Sequence, residues 1–385
     1  MKKKMFAVAG WSTFLVLIGL TVFLFREGLP ALYKFPQPEL VFAVHPANPV
    51  VRLSAEAVRA LAEGKADWAA FGGPARPARL VHLANLERYL PAYASAAEIQ
   101  RILADLAADT AILLALPAPL LPEAVKPISV TWQGWRELFG SLYWSPTYEP
   151  LPRVGVWPLL VGSVWVTFIG LMLVVPLGLA MAIYVAEFLP RTLYYPIKVL
   201  WEVLAGLPSV VVGFWGLVVV VPAVKSVLHL SAGETAFTAG LLLGWITLPL
   251  MASLVEEALQ AVPRLLVESS YGLGATRWQT ILRLKLPYIL PSIATAALLS
   301  AGRILGETMV VLMVSGNAPL LATTPFQPVR TLPATLAAEL GEAPIGSYHY
   351  HVLFFLGALL FLLTLALNLA AYAIQSRYLR AQTLG

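Results

Sequence analysis

Cysteine is absent from these 385 residues, and charge is scarce, with Asp, Glu, Lys and Arg making up only 12%. Without cysteine no disulfide staples any part of the chain, even where its compartment would allow one. With so little charge and 59% hydrophobic residues, an ordinary soluble domain is excluded, and lipid is the solvent that such a composition suits. A phosphate loop of the form G-x-x-x-x-G-K-[ST] is also missing, so the chain is not itself an ATP-hydrolysing engine and is expected not to be an enzyme. His349 and His351 lie among Tyr348 and Tyr350, which reads as an interfacial aromatic belt before it reads as a metal site. No cofactor, metal ion or nucleic acid is expected.

What the sequence has in quantity is uncharged apolar chain. Residues 6–25, 154–186, 203–224, 235–255 and 343–376 carry no Asp, Glu, Lys or Arg, and a further run, 286–314, is interrupted only by Arg303 and Glu307. Each can supply the roughly 20 residues that a spanning helix needs, so six transmembrane helices are expected. The first follows Met1-Lys2-Lys3-Lys4, and its length together with the lack of a small-residue cleavage site in "FREGLPALYKF" reads as an anchor rather than a signal peptide. With that lysine triplet inside, residues 187–202, 256–285 and 376–385 fall in the cytoplasm. These segments and the N-terminus hold 11 of the 26 Lys and Arg, against only Lys225 and Arg330 in the short outer loops. The expected location is the cell inner membrane, with both termini cytoplasmic and residues 26–153 extracytoplasmic. Glu256 and Glu257 read as solvated charges at the cytoplasmic end of the fourth span.

Residues 26–153 are too long and too charged for a loop, holding 12 basic and 12 acidic residues. Apolar bursts such as "LVFAVH" and "TAILLAL" alternate with Ala-rich helical patches, which argues for a small separate α/β domain. The expected division is a first transmembrane helix in 1–30, an α/β insert in 31–150, and a five-helix core in 151–385 with a cytoplasmic loop at 257–290.

That loop contains "VESSYGLGATRWQTILRLKLP". Pro263 suits the start of one short helix, Gly272 and Gly274 break it, and Thr276 to Gln279 fits a capping box opening a second helix that ends before Pro287. A helix–glycine–helix knob of this kind resembles the coupling loop of ABC importer permeases, E-A-A, three residues, Gly, nine residues, Ile, one residue, Leu-Pro. Glu268, Ser269, Ser270, Gly274, Leu284, Leu286 and Pro287 stand at those spacings, with Ser for both alanines and Leu for Ile. Together with "PLGLAMAIYVAEFLPR" (176–191), "LAGLPSVVVGFWGL" (204–217), "YGLGATRWQTI" (271–281) and "GRILGETMVVLMVSGN" (302–317), the chain resembles the phosphate importer permeases of the PstC type over residues 136–385 and the first span.

The resemblance implies an all-α polytopic fold of the ABC importer type I permease class, with the α/β insert added. It implies an ATPase dimer gripping the coupling loop, a second permease subunit of the PstA type, and an extracytoplasmic phosphate-binding protein. A permease for another oxyanion such as sulfate or molybdate, and a membrane-anchored receptor, are the competing readings. Six spans with a coupling loop argue against the receptor.

Within that frame Arg303 is the candidate phosphate contact, because a guanidinium fork matches an oxyanion better than an ammonium does. On a helix starting near Pro291 it would lie about 18 Å in, near the middle of the hydrocarbon, with Glu307 one turn on and paired to it. Thr308 would add a hydroxyl, and Gly302 and Gly306 would leave room for a close neighbour. A purely structural lock is the alternative for the pair. Gly206, Pro208 and Gly213 are candidates for a gate hinge, with close helix packing as the equal alternative.

The insert has a weaker resemblance of its own. Residues 44–73, "VHPANPVVRLSAEAVRALAEGKADWAAFGG", look like a stretch of phosphate-binding proteins, in which a Ser-Gly-Thr anion clamp at a helix N-terminus normally follows. The corresponding "RPARLVHLANLERYLPAY" (76–93) has none. A clampless lobe that docks the true binding protein is expected, with weak anion binding at Arg76 and Arg79 as the alternative.

Overall fold

A computed structural model describes residues 2–36, 39–91 and 94–383, with side-chain surroundings for 15–376 of these. Lys2, Lys3 and Lys4, which anchor the inside assignment, have side chains outside that range. The chain divides into two compact units, one of residues 1–25, 156–342 and 353–385, the other of residues 26–155 and 343–352.

In the first unit the apolar runs become helices. Over the described residues six are long and apolar enough to cross a membrane: Leu15–Leu32, Trp157–Phe188, Ser209–Val227, Ala236–Gln260, Arg277–Leu305 and Tyr348–Ser376, numbered here as spans one to six. They correspond in number and order to the runs in the sequence. Span four is the hub, with 67% of its apolar stretch buried. Its Leu242, Leu243, Met251 and Val255 share a core with Val166 and Val174 of span two and Ile289, Ala296 and Ile304 of span five. Small residues let spans two and four touch backbone to backbone: a Cβ added at Gly244 would stand 2.9 Å from the Gly170 carbonyl oxygen. Between spans with lipid-like surfaces, such close packing supplies attraction that the hydrophobic effect does not.

Two joints shape the ends of these helices. Span two closes in a π-turn, Tyr184–Phe188, and Pro190 then opens an amphipathic helix, Arg191–Ala205. Span five does not begin near Pro291, and the second loop helix does not end before Pro287. Residues Arg277–Thr280 pass through a π-turn, Ile281–Lys285, directly into the helix Leu286–Leu305. Pro287 has no N–H to donate, so a widened turn just before it lets the helix continue at little further loss.

The second unit is built on a five-stranded sheet of β1 (Leu40–Val44), β2 (Arg52–Ser54), β3 (Arg79–His82), β4 (Ile112–Pro117) and β5 (Lys126–Thr131), in the order β2-β5-β1-β4-β3. β1 runs antiparallel to β4 and β5, while β2–β5 and β3–β4 are parallel pairs. Alternation sends Phe42, Val44, Leu113 and Ala115 to one face, where they share a core with Leu53 of β2 and with Val58, Leu61 and Trp68. Ala43, Ile112, Leu114 and Leu116 go to the other, with Val81 of β3 beside them and Leu103 packed against them. Ser54 caps the helix Ala55–Ala62 by accepting from the Ala57 N–H at 3.1 Å. A Ser95–Glu98 capping box starts Ala96–Ala107.

This unit also includes residues 343–352, which the expected division placed in the core of 151–385. The Tyr348 hydroxyl donates to the Ala31 carbonyl at 3.2 Å, and His351 is buried, with Nδ1 2.8 Å from the Glu27 carbonyl and Nε2 3.1 Å from Lys34 Nζ. His351 therefore fastens two chain segments together and does not form a belt.

Candidate translocation and coupling sites

The loop after span four is held by its own turn chemistry. Its first helix, Arg264–Gly272, is entered through Pro263. Gly274 takes φ +86°, and the Ala275 N–H reaches back to the Ser270 carbonyl at 3.1 Å. Thr276 then caps the second helix reciprocally: its Oγ1 accepts from the Gln279 N–H at 3.3 Å, and Gln279 Oε1 accepts from the Thr276 N–H at 2.8 Å. Ser270 and Thr280 hydroxyls meet at 3.0 Å and tie the two helices into one body. Glu268 and Ser269 stay exposed on it, whereas Leu284 is half-buried and packs against the core of the helical unit. Sequence reasoning missed the apolar surface of this loop: Leu273 is 90% exposed, and Leu265 and Trp278 are exposed too. A leucine between two glycines in a polar loop was the available signal.

Span five breaks where the charges lie. Its helix ends at Leu305, and Gly306 closes it by donating its N–H to the Gly302 carbonyl at 3.1 Å. Glu307 and Thr308 form a link, and a new short helix, Met309–Val314, follows. The expected Arg303–Glu307 pair is therefore not made, because the helical repeat that would bring the two together stops between them. Glu307 Oε1 accepts from the Thr308 N–H at 3.2 Å, and the Thr308 hydroxyl donates to the Gly306 carbonyl at 3.4 Å. Arg303 is exposed and has no ion pair or hydrogen bond among the described residues. It stands in the last turn of its helix, where the unsatisfied carbonyls favour a cation.

Gly206 is the C-cap of the amphipathic helix and Pro208 the N-cap of Ser209–Trp215, so the chain turns between them. Gly213 is packed closely, since a Cβ there would stand 2.9 Å from Met313 Sδ and 3.2 Å from the Val310 Cα.

The family of binding-protein-dependent transport system inner membrane components matches residues 152–381. The chain belongs to that family. It is similar to the probable ABC transporter permease protein YqgH of Bacillus subtilis, 34% identical over 63% of this chain and 78% of the relative. It is also similar to the phosphate transport system permease protein PstC of Mesorhizobium japonicum, 34% identical over 65% of this chain and 82% of the relative. PstC of Xylella fastidiosa is 31% identical over 70% and 91%.

This inner membrane component also carries buried charges at the base of its coupling loop that the sequence did not single out. Glu256 is 1% exposed rather than solvated, and Lys198 of the amphipathic helix is its salt-bridge partner. Tyr194 donates to the same carboxylate at 3.0 Å, and Lys198 also donates to Ser253 Oγ at 3.0 Å. Glu187, in the π-turn ending span two, meets Lys285 at 2.5 Å, with Arg277 Nε 4.0 Å away. Both pairs join the coupling-loop segments to elements distant in sequence, and Gln260, one turn on from Glu256, donates to the same carboxylate.

In the α/β unit, "HPANP" is a structural turn. Asn48 is buried, its Oδ1 accepts from the Val50 N–H and its amide donates to the Thr110 carbonyl. Trp68 donates from Nε1 to the Ala111 carbonyl at 2.8 Å. After β3, the short helix Leu83–Leu86 opens with a reciprocal His82–Asn85 capping box. Glu149 lies 3.1 Å from His82 Nδ1. The helix start that would receive an anion is thus met by the chain's own side chains, one of them a carboxylate. Arg76 and Arg79 are exposed.

Proposed function

We propose that this chain is a permease subunit forming the translocation pathway of an ATP-driven phosphate importer. Its similarity to phosphate transport permeases over most of their length supports the substrate. The observation that carries the reading is Arg303. A guanidinium left without a partner in the last turn of an apolar span is costly against lipid and suited to a passing oxyanion. Glu307 and Thr308 sit at the adjacent helix break, where freed backbone groups give the pathway polar lining. The coupling loop at 257–290, with Glu268, Ser269, Ser270, Gly274, Leu284, Leu286 and Pro287, receives a partner ATPase dimer. The joint at Gly206 and Pro208, with Gly213 packed above it, is the gate region.

A second permease subunit of the PstA type and an extracytoplasmic phosphate-binding protein complete the machine in the cell inner membrane. Residues 26–153 face outward and dock the binding protein without gripping phosphate, since their helix start is already capped. The test is uptake of labelled phosphate by the assembled complex in vesicles, with sulfate and molybdate as competitors. Phosphate uptake that a tenfold excess of either anion leaves intact, and that Arg303→Lys abolishes, is the expected result. Preferential uptake of sulfate or molybdate would overturn the substrate assignment.

A further inference from the structure

The second coupling-loop helix holds more than the span it leads into. Phe188, the last residue of the π-turn Tyr184–Phe188, has the Arg277 guanidinium 4.6 Å from its ring centre and the Trp278 ring 5.2 Å away centre to centre. Its neighbour Glu187, almost fully buried at the side chain, meets Lys285 at 2.5 Å. Arg277, Trp278 and Lys285 belong to the stretch that runs through a π-turn into span five without a break. The loop thus grips the end of span two by an ion pair, a cation over an aromatic ring and an aromatic pair.

A second grip lies at the other flank of the loop. Tyr194 and Lys198 both reach Glu256, at the end of span four, and Trp201 shares a small core with Val185 of the π-turn and Ala252 of span four. Tyr194, Lys198 and Trp201 stand at i, i+4 and i+7, so it is one face of the helix Arg191–Ala205 that is fastened. Beyond Trp201 the fastening stops. Residues 202–208 are all exposed, and a Cβ added at Gly206 would meet only carbonyls of its own helix, those of Glu202 at 3.4 Å and Val203 at 3.6 Å. The free part is long enough to matter, since Lys198 to Gly206 spans about 12 Å at the helical rise.

We infer that the helix Arg191–Ala205 is a lever driven by the coupling loop, and that Glu187 is the positioning residue that makes the base of the lever follow the loop. The inference deepens the functional reading above, from which it takes the ATPase as the source of motion and the Gly206–Pro208 joint as the gate. Spans two and four also pack directly, but the lever begins after the π-turn of span two, a point at which a helix bends. Without the grip on Glu187 and Phe188 the chain would yield at that turn, and the lever would stay behind when the loop moves.

The absence of cysteine from the chain gives the test a clean background. Glu187→Cys/Lys285→Cys removes both charges of the pair together, so neither is stranded in a buried place and complex yield should stay near normal. With the permease–ATPase complex in vesicles, the oxyanion moved per ATP hydrolysed should fall about fivefold in the reduced double variant while hydrolysis continues. It should recover when a three-carbon bis-thiosulfonate bridges the two cysteines, and the same reagent should leave the unaltered complex unchanged. Glu187→Gln, which keeps size but not charge, should lower the ratio by a smaller factor. A brace without a part in transmission would change yield or heat tolerance and leave the ratio alone. An unchanged ratio in the reduced double variant and in Glu187→Gln would overturn the inference, and so would a bridge that blocks transport, because the two groups would then have to part during the cycle. The ratio is taken for whichever oxyanion the unaltered complex carries, so transport of sulfate in place of phosphate would refute the substrate and still leave the lever to be judged.

Discussion

Gly274 offers a sharp test of whether force enters through the loop, because its two possible reasons for being glycine separate cleanly. It takes φ +86°, and a Cβ added there would meet nothing within 4 Å. Any cost of substitution within the chain is therefore conformational rather than steric. A β-branched residue held at such an angle costs about 1–3 kcal/mol, which converts to a roughly 5- to 150-fold fall in the population of the native turn. Asn tolerates the left-handed region and should cost far less. In the reconstituted complex Gly274→Asn should retain most phosphate uptake, Gly274→Ala should lose part of it, and Gly274→Val should lose most while basal ATP hydrolysis persists. The ratio of phosphate moved to ATP hydrolysed is the quantity to measure across the three. If Asn is as damaging as Val, the ATPase contacts the glycine surface itself and the conformational argument fails. Uptake unchanged in Gly274→Val would mean that the turn transmits nothing.

Arg303→Leu removes a side chain that makes no ion pair or hydrogen bond among the described residues, so complex yield should stay near normal while phosphate uptake is lost; normal uptake would move the phosphate path elsewhere. In the α/β unit Arg59 donates to Glu137 at 2.8 Å and to the Pro152 carbonyl at 2.5 Å, both side chains being almost fully buried. Arg59→Ala should cost about 3–5 kcal/mol by stranding that carboxylate, read as lost hydrogen-exchange protection across residues 112–117, and Arg59→Met with Glu137→Leu should restore most of it. Glu63 is held below its usual pKa first by the hydrogen bond from Lys65, with Arg153 adding to it against the opposing effect of burial. A depressed carboxyl gives stability above the unfolded value, about 4.3, that is lost as pH falls through the folded one, so Glu63→Gln should flatten the acid limb of the unit's melting profile. An unchanged acid limb would count against that pair.

The apolar spans were legible because their signal is local: twenty uncharged residues in a row need no partner to announce themselves. The Thr276–Gln279 cap was legible for the same reason, since its two bonds close within four residues. The break at Gly306 was not. The residues from Leu286 to Val314 are apolar on both sides of it, and a helical repeat carried through a glycine puts Arg303 and Glu307 on one face that the real chain does not form. Glu256 was misread because a glutamate at the end of an apolar run looks like the edge of the membrane. Its partner, Lys198, comes from a different helix, and only the fold brings the two together. Residues 343–352 joined the α/β unit for a similar reason: uncharged sequence says that a segment is apolar, not which unit it packs in.

The buried Lys198–Glu256 pair also has a meaning for how the protein is made. The lysine is synthesised first, on a helix that can wait at the bilayer surface with its ammonium in water. The glutamate emerges later, near the end of span four, and cannot settle into its final position as an anion until that ammonium is beside it. Until they meet, the carboxylate has to keep its contact with water, and span four can slide. Once they meet, the depth of span four is fixed, and the coupling loop, which begins directly after Glu256, acquires a defined height above the membrane. A contact that looks like a mere brace in the finished protein thus acts as a depth stop during insertion.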